Sequence, residues 1–365
     1  MFKSTLTSSM IILGLSTSSA VMAEQKIAVI SSFSILGDLV SEVGQEHVNV
    51  TNLVKIDGDA HVFNPTPQDA KAISKAQLVV TNGLQFEGWM PRLIEAANYQ
   101  GVQVVAANGI EEISTKEGHS CGHAHHDDEH KHHDNEHKHH DDEHEHHDDE
   151  HAHHDDEHAH HDDEHAHHDG EHKHHDGEHE HHDHAHHDHG DIDPHAWHSI
   201  KNVKVYVHNI AKGLIQVDPE NKNDYQQNAK DYIQKLDKLE LKLSAQLATV
   251  PEAQRKVITP HAAFGYFARD FNVTFLAPQG TSTGSEASAA DVAALIKQIR
   301  HDNVNAVFME NIADNRLIEQ ISRETGVKVG GKLYSDALSA ADEPAATYLK
   351  MMQYNVDTIV NALHK

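Results

Sequence analysis

The chain has 365 residues, and 58 Asp and Glu against 29 Lys and Arg give it a formal net charge of −29 with histidine neutral. So acidic a chain is not expected to bind nucleic acid, which attracts basic surfaces. Histidine is the exceptional residue type, with 40 copies in the chain.

The N-terminus has the pattern of a secretory signal peptide. One Lys, an apolar run and small residues lead to a plausible cleavage site at Val21-Met22-Ala23, and the run is too short to cross a bilayer. No later stretch approaches about 18 uninterrupted apolar residues. The only cysteine, Cys121, lies far beyond the cleavage site, so it suits neither a lipid anchor there nor an internal disulfide. We therefore expect a signal peptide at residues 1–23 and a soluble protein in the periplasm.

The first half of the mature chain alternates short β-branched runs with segments of helical period. This alternation predicts a parallel sheet with helices on both faces. We expect an N-terminal α/β lobe formed by residues 24–118 together with residues 190–217. The four predicted strands are KIAVI (26–30), VNVTNLV (48–54), LVVTNG (78–83) and VQVVAA (102–107).

A tract at residues 119–189 interrupts this lobe. It holds 32 His, 15 Asp and 10 Glu against 3 Lys, so it carries 22 of the 29 net negative charges. Eight copies of the unit H-D-x-E-H-x-H run from His126 to His181. A coiled coil would need apolar residues at two positions of each heptad, so the composition predicts disorder instead. An acidic spacer would not need three histidines in every seven residues, which favours weak metal binding.

After the tract, residues 218–250 have the pattern of one long helix, with Asp218 as N-cap and Pro219 at the first helical position. About 30 residues at about 1.5 Å each exceed the width of one small lobe, so we expect a rigid connector. The C-terminal α/β lobe should comprise residues 251–365. Its predicted strands are KVITP (256–260), VTFLAP (273–278), AVFMEN (306–311) and VKVGGKLY (327–334).

Ligands of open parallel sheets bind beyond the carboxyl ends of the strands. His61 follows the second predicted strand, His195 lies just after the tract, and His261 directly follows KVITP. Ser335 and Asp336 follow the last strand. A lone histidine at such a place is usually structural, but several ligand-type residues at comparable places indicate a metal site.

At these positions the chain resembles the zinc and manganese solute-binding proteins of bacterial ABC transporters, in particular the zinc-specific periplasmic type. The resemblance covers the mature chain apart from the tract. It implies a metal bound between two lobes as transported cargo, a membrane permease as partner, and a monomer. Matching the motifs residue by residue implies four metal ligands, His61, His195, His261 and Asp336. The motifs are GDAHVFNPTPQDA, NGLQFEGWM, DPHAW, HAAFGYFARDF, ENIADNRLIEQI and LYSDALS.

The third ligand position bears on the choice of metal. The resemblance implies zinc, because the manganese-binding relatives place a carboxylate where this chain has His261. Three imidazoles and a carboxylate also suit tetrahedral zinc, whereas manganese prefers more oxygen ligands. A manganese carrier, a zinc buffer acting through the tract alone, and a zinc hydrolase remain alternatives. A hydrolase is disfavoured because the chain lacks H-E-x-x-H.

Four further residues near these motifs are candidates for lesser roles. His198 is a possible accessory ligand, three residues after His195. Asp59 and Glu87 are candidates to orient an imidazole through its second nitrogen. Asp193 is expected to serve the Asp-Pro turn.

Overall fold

The computed structural model describes residues 26–115, 192–302 and 304–364. The predicted signal peptide and the predicted disordered tract lie outside the described residues. Within the described ranges, no helix combines the length and the apolar character that crossing a membrane requires.

The first half forms a four-stranded parallel sheet in the order β2-β1-β3-β4. Its central strand β1 is almost entirely buried because helices cover both faces of the sheet. The strands are β1 (Ile27–Phe33), β2 (Val48–Val54), β3 (Leu78–Thr81) and β4 (Val102–Val105), and the helices between them are α1 (Ser34–Gly44), α2 (Pro67–Ile73) and α3 (Met90–Ala96).

Two helices follow the tract: α4 (Ile200–Val217) and α5 (Lys222–Leu247). The 26 residues of α5 span about 39 Å, so the predicted long helix is confirmed. The prediction that Asp218 is the N-cap residue of α5 was wrong, because α5 begins about one turn later, at Lys222. Pro219–Asn221 form a separate 3-10 turn before the helix, and the Asp218 carboxylate accepts hydrogen bonds from Asn221 and Tyr225.

The second half forms another parallel sheet in the equivalent order β6-β5-β7-β8. All eight strands predicted from the sequence are therefore present, with ends shifted by a few residues. The strands are β5 (Lys256–Ile258), β6 (Thr274–Leu276), β7 (Ala306–Glu310) and β8 (Val329–Leu333), and the helices are α6 (Gly265–Phe271), α7 (Ala289–Asp302), α8 (Arg316–Thr325) and α9 (Tyr348–Leu363).

The long helix α5 contacts α1 and α4 on the side of the first sheet and α9 on the side of the second. One hydrophobic cluster includes buried residues of both halves, among them Val29, Trp197 and Tyr348. Trp197 also donates its indole N–H to the carbonyl of Ser335, at 2.8 Å, across the two halves. The predicted class, two α/β lobes with parallel sheets joined by a long helix, is thus confirmed.

Candidate metal centre

His61 lies in the loop that connects β2 to α2. Its backbone N–H donates a hydrogen bond to Asp59 Oδ1 at 2.9 Å, and the Trp89 indole donates to the carbonyl of Ala60 at 2.8 Å. A capping box of Thr66 and Asp69 then begins α2. The loop is therefore fixed on both sides of His61 by contacts within its own lobe.

His195 lies immediately before a 3-10 turn, Ala196–His198, and is fully buried. Asp193 Oδ1 accepts a hydrogen bond from its backbone N–H at 2.9 Å and lies 2.8 Å from its Nδ1. Asn82, just beyond β3, donates to the carbonyl of Pro194 at 2.9 Å. The segment after the tract is thereby held at the carboxyl end of the first sheet, with His195 Nε2 facing His61.

His261 comes from the second half, three residues after β5. Glu310, the last residue of β7, places Oε2 2.6 Å from His261 Nδ1. The same oxygen accepts a hydrogen bond from the Ser335 hydroxyl at 2.8 Å. Both His261 and Glu310 are buried, so this carboxylate fixes the ring and leaves Nε2 free to face the cleft.

The structure brings all four predicted residues together. His61 Nε2 lies 3.2 Å from His195 Nε2 and 3.2 Å from Asp336 Oδ2, and His261 Nε2 lies 3.3 Å from the same oxygen. One ligand-type atom from each residue falls within a group spanning 4.8 Å. A tetrahedral ion with bonds of about 2.0–2.1 Å separates its ligand atoms by about 3.3 Å, so this spacing fits a single small ion.

The cluster is closed to solvent, since the His61 side chain is 3% exposed and those of the other three residues are 0% exposed. Neither Asp336 oxygen has an aligned hydrogen-bond partner among the described residues, although two imidazoles lie nearby. A buried carboxylate without aligned partners is costly unless a cation compensates it. The donor set therefore fits a divalent cation better than a network of hydrogen bonds.

The charges of the cluster shift its pKa values in different directions. Burial by itself disfavours the imidazolium of His261, but the carboxylates of Glu310 and Asp336 outweigh burial and raise its pKa well above the ordinary value. Burial lowers the pKa of His61. The Asp336 carboxyl is also buried, yet His261 and His195 hold its pKa well below the usual range. These shifts favour an imidazolium at His261 beside an ionised Asp336.

The other residues named from the sequence have different surroundings. His198 lies outside the cluster, fully buried, with its ring 4.5 Å from that of Phe264 between centroids. Asp59 contacts the backbone of His61 rather than its ring. Glu87 accepts hydrogen bonds from the Ser32 hydroxyl and from the backbone N–H of Asn82. Neither donor belongs to a histidine of the cluster.

Asp193 accepts the backbone N–H of His195 within the Asp-Pro turn, as expected, and the same oxygen also lies 2.8 Å from His195 Nδ1, a contact that the sequence did not predict. Glu310 was missed altogether. The available signal was a carboxylate at the end of the predicted strand AVFMEN, at the sheet edge that carries the other ligand-type residues.

Residues 29–362 match the family model described as zinc-uptake complex component A, periplasmic. Relatives include the manganese-binding lipoprotein MntA of Halalkalibacterium halodurans, with 26% identity over 338 residues, 92% of this chain and 88% of that protein. The metal ABC transporter substrate-binding lipoprotein SsaB of Streptococcus sanguinis shows 25% identity over 346 residues, 93% of this chain and 90% of that protein.

Two solved structures are similar over most of the chain. A Mn-bound mutant of a periplasmic metal binding protein from Candidatus Liberibacter asiaticus has a TM-score of 0.68 and 26% identity, covering 93% of this chain and all of that one. The periplasmic zinc binding protein TroA from Treponema pallidum has a TM-score of 0.69 at 24% identity, covering 93% and 99%, which shows a shared fold.

The matched family is a transport component rather than an enzyme, and it acts outside the cytoplasm, so the predicted non-enzymatic role and periplasmic location are confirmed. The names of the relatives include both manganese and zinc, and they do not choose between the two metals. The chain belongs to the family of periplasmic metal-binding components of ABC transporters described as zinc-uptake complex component A.

Proposed function

We propose that this protein captures zinc in the periplasm and delivers it, as a monomer, to a membrane ABC permease for uptake. The ion would be held by His61, His195, His261 and Asp336. The convergence of three imidazole Nε2 atoms and one buried carboxylate on a common point carries the proposal. In this scheme the first lobe comprises residues 24–118 and 190–217, the connecting helix residues 218–250, and the second lobe residues 251–365.

The donor set favours zinc over manganese. Zinc accepts a tetrahedral site of nitrogen and oxygen donors, whereas manganese prefers more oxygen ligands and a larger coordination number. The two carboxylates beside the ligand rings, Asp193 and Glu310, are each in contact with Nδ1 of an imidazole. They make the rings better zinc ligands without entering the ligand set themselves.

Capture then consists of ligand exchange and loop closure, with no covalent step. The buried cluster takes up the ion when the His61 loop opens, and the imidazolium of His261 must lose its proton before its Nε2 can bind metal. The carboxylate of Asp336 neutralises part of the ion's charge. Reopening of the same loop on the permease would allow release.

The tract at residues 119–189 would serve as an accessory that binds several zinc ions weakly and so raises their local concentration. It could supply zinc to the cleft when zinc is scarce, or sense its excess. Metal binding by the tract should fade in acid, because protonation of 32 histidines near a pKa of about 6.5 changes its charge from about −22 to about +10.

Calorimetric titration tests the proposal. Zinc would be titrated into the mature chain and into the chain lacking residues 119–189. Each would be measured with and without His61→Ala. His301→Ala is the matched control, because His301 is exposed on α7. We expect one tight site that survives loss of the tract. This site should disappear with His61→Ala and persist with His301→Ala.

Tight binding that leaves with the tract and ignores His61→Ala would make the protein a zinc buffer. Competition between the two metals tests specificity in the same samples. Manganese that displaces zinc at comparable concentration would refute the zinc assignment and favour a manganese carrier, in line with several of the relatives.

A further inference from the structure

The loop that carries His61 is bonded to the opposite lobe at two places beside the candidate metal centre. Asp57 donates its backbone N–H to the carbonyl of Leu338 at 3.0 Å and accepts a hydrogen bond from Asn311 at 3.1 Å. Asp59 Oδ2 accepts a hydrogen bond from the Thr283 hydroxyl at 2.6 Å. These contacts cross the cleft and involve no ligand-type atom of the cluster.

Of the two inter-lobe contacts, only the one made by the Asp59 carboxylate also involves the backbone of His61. One of its oxygens accepts the hydrogen bond from Thr283, and the other accepts the backbone N–H of His61 at 2.9 Å. A single side chain thus connects the backbone of a ligand-bearing residue to the second lobe. The N–H of His61 cannot move away from the cleft without breaking this connection or displacing Asp59.

We propose that Asp59 and Thr283 form an inter-lobe latch that controls how fast the metal site opens. The inference rests on the proposed capture of metal by His61, and it adds a residue of the second lobe, Thr283, that is not part of the ligand set. Because the His61 side chain is only 3% exposed, an ion can enter or leave only when its loop moves.

The latch involves no ligand-type atom of the cluster, so it can form with or without a bound ion, and this determines its kinetic effect. Its loss destabilises the closed form with and without metal alike, so opening becomes more frequent in both forms. Capture and release should therefore both accelerate, while the dissociation constant changes little. Loss of a metal ligand would instead raise the dissociation constant, so the two kinds of residue are distinguishable.

Thr283→Val tests the latch because it replaces the hydroxyl with a methyl group of similar size. Zinc release would be followed by a chelator chase of the full mature chain loaded with less than one equivalent, and association by stopped flow. Loss of a hydrogen bond to a charged acceptor at this partly exposed position predicts about five- to tenfold faster release. Association should accelerate as well, and the dissociation constant should stay within about threefold.

Two further variants make the test specific. Thr283→Ser keeps a hydroxyl and should restore rates near those of the wild type. Ser285→Ala removes an exposed hydroxyl from the same loop and should change neither rate. Release and association rates of Thr283→Val within twofold of the wild type would refute the latch, as would faster release combined with slower association.

Amide hydrogen exchange of the metal-free chain supplies a readout that does not depend on zinc. The N–H of His61 donates to Asp59, so its exchange should accelerate in Thr283→Val and not in Ser285→Ala. If His61→Ala left tight zinc binding intact, the proposed function would fail, and this exchange measurement would still decide on the latch. Unchanged exchange at His61 in Thr283→Val would overturn it.

Discussion

Replacing Glu310 with glutamine tests whether this buried carboxylate sets the metal affinity of His261. Glu310 is 1% exposed, and its Oε2 lies 2.6 Å from His261 Nδ1 while accepting the Ser335 hydroxyl at 2.8 Å. Glutamine has nearly the same shape and keeps an oxygen for Ser335. The substitution therefore removes one negative charge beside the imidazole and leaves the packing almost unchanged.

Removal of a carboxylate that orients a metal-binding histidine typically lowers metal affinity by about 10- to 100-fold, or about 1.4–2.7 kcal/mol. We expect the upper part of this range, because the contact is short and fully buried, so water cannot take the place of the lost charge. The assay is zinc competition against a chelator of known affinity at neutral pH. The chain lacking residues 119–189 allows the cleft site to be measured alone.

Glu343→Gln is the matched control, since it removes the same charge from an exposed position of the second lobe. It should leave the affinity within about twofold of the wild type, because solvent screens an exposed charge. A Glu310→Gln protein that binds zinc as tightly as this control would refute the argument. The carboxylate would then be a structural partner of Ser335 and of no consequence for the metal.

Three further predictions concern protonation. Because the pKa of His261 is raised well above its ordinary value in the metal-free cluster, zinc binding at neutral pH should release its proton and strengthen as pH rises, which calorimetry in buffers of different ionisation enthalpy can count. Burial lowers the pKa of His198 to about 3, so the unfolded state binds more protons than the folded state below pH 6.5 and the free energy of unfolding falls by about 1.4 kcal/mol per pH unit as the pH drops. His198→Leu should remove this loss of stability, as measured by urea unfolding, and should retain zinc affinity. Burial raises the pKa of Asp38 to about 6, so the folded state binds more protons than the unfolded state between pH 3.8 and 6, and stability falls as pH rises through that window. Asp38→Asn should therefore raise the free energy of unfolding at pH 7 by about 1–2 kcal/mol in the same assay.

Each of these has a clear contrary result. Zinc binding without proton release would mean that His261 is already neutral before the ion arrives. A His198→Leu protein with the acid sensitivity of the wild type would place the acid-labile group elsewhere. For Asp38→Asn, equal stability of variant and wild type at pH 7 would show that the hydrogen bond from the Tyr348 backbone N–H fully compensates the buried charge.

The sequence determined the architecture and the identity of the candidate ligands. Short β-branched runs alternating with helical periods specify parallel strands locally, because side-chain periodicity decides which residues are buried. Parallel strands place their carboxyl ends at one edge of each sheet, so His61, His261 and Asp336 could be named before any distance was known. The strong compositional contrast likewise separates the tract at residues 119–189 from the rest of the chain.

Only the tertiary structure decided which groups act on those ligands. Glu310 is 49 positions from His261 in sequence, and Thr283 is 224 positions from Asp59, so no local pattern connects either pair. Asp193 is close to His195 in sequence, yet a turn role and a contact with the ring are equally compatible with the motif Asp-Pro-His. Such contacts depend on how two sheets and the long helix α5 pack, and packing is a property of the whole chain that sequence periodicity does not encode.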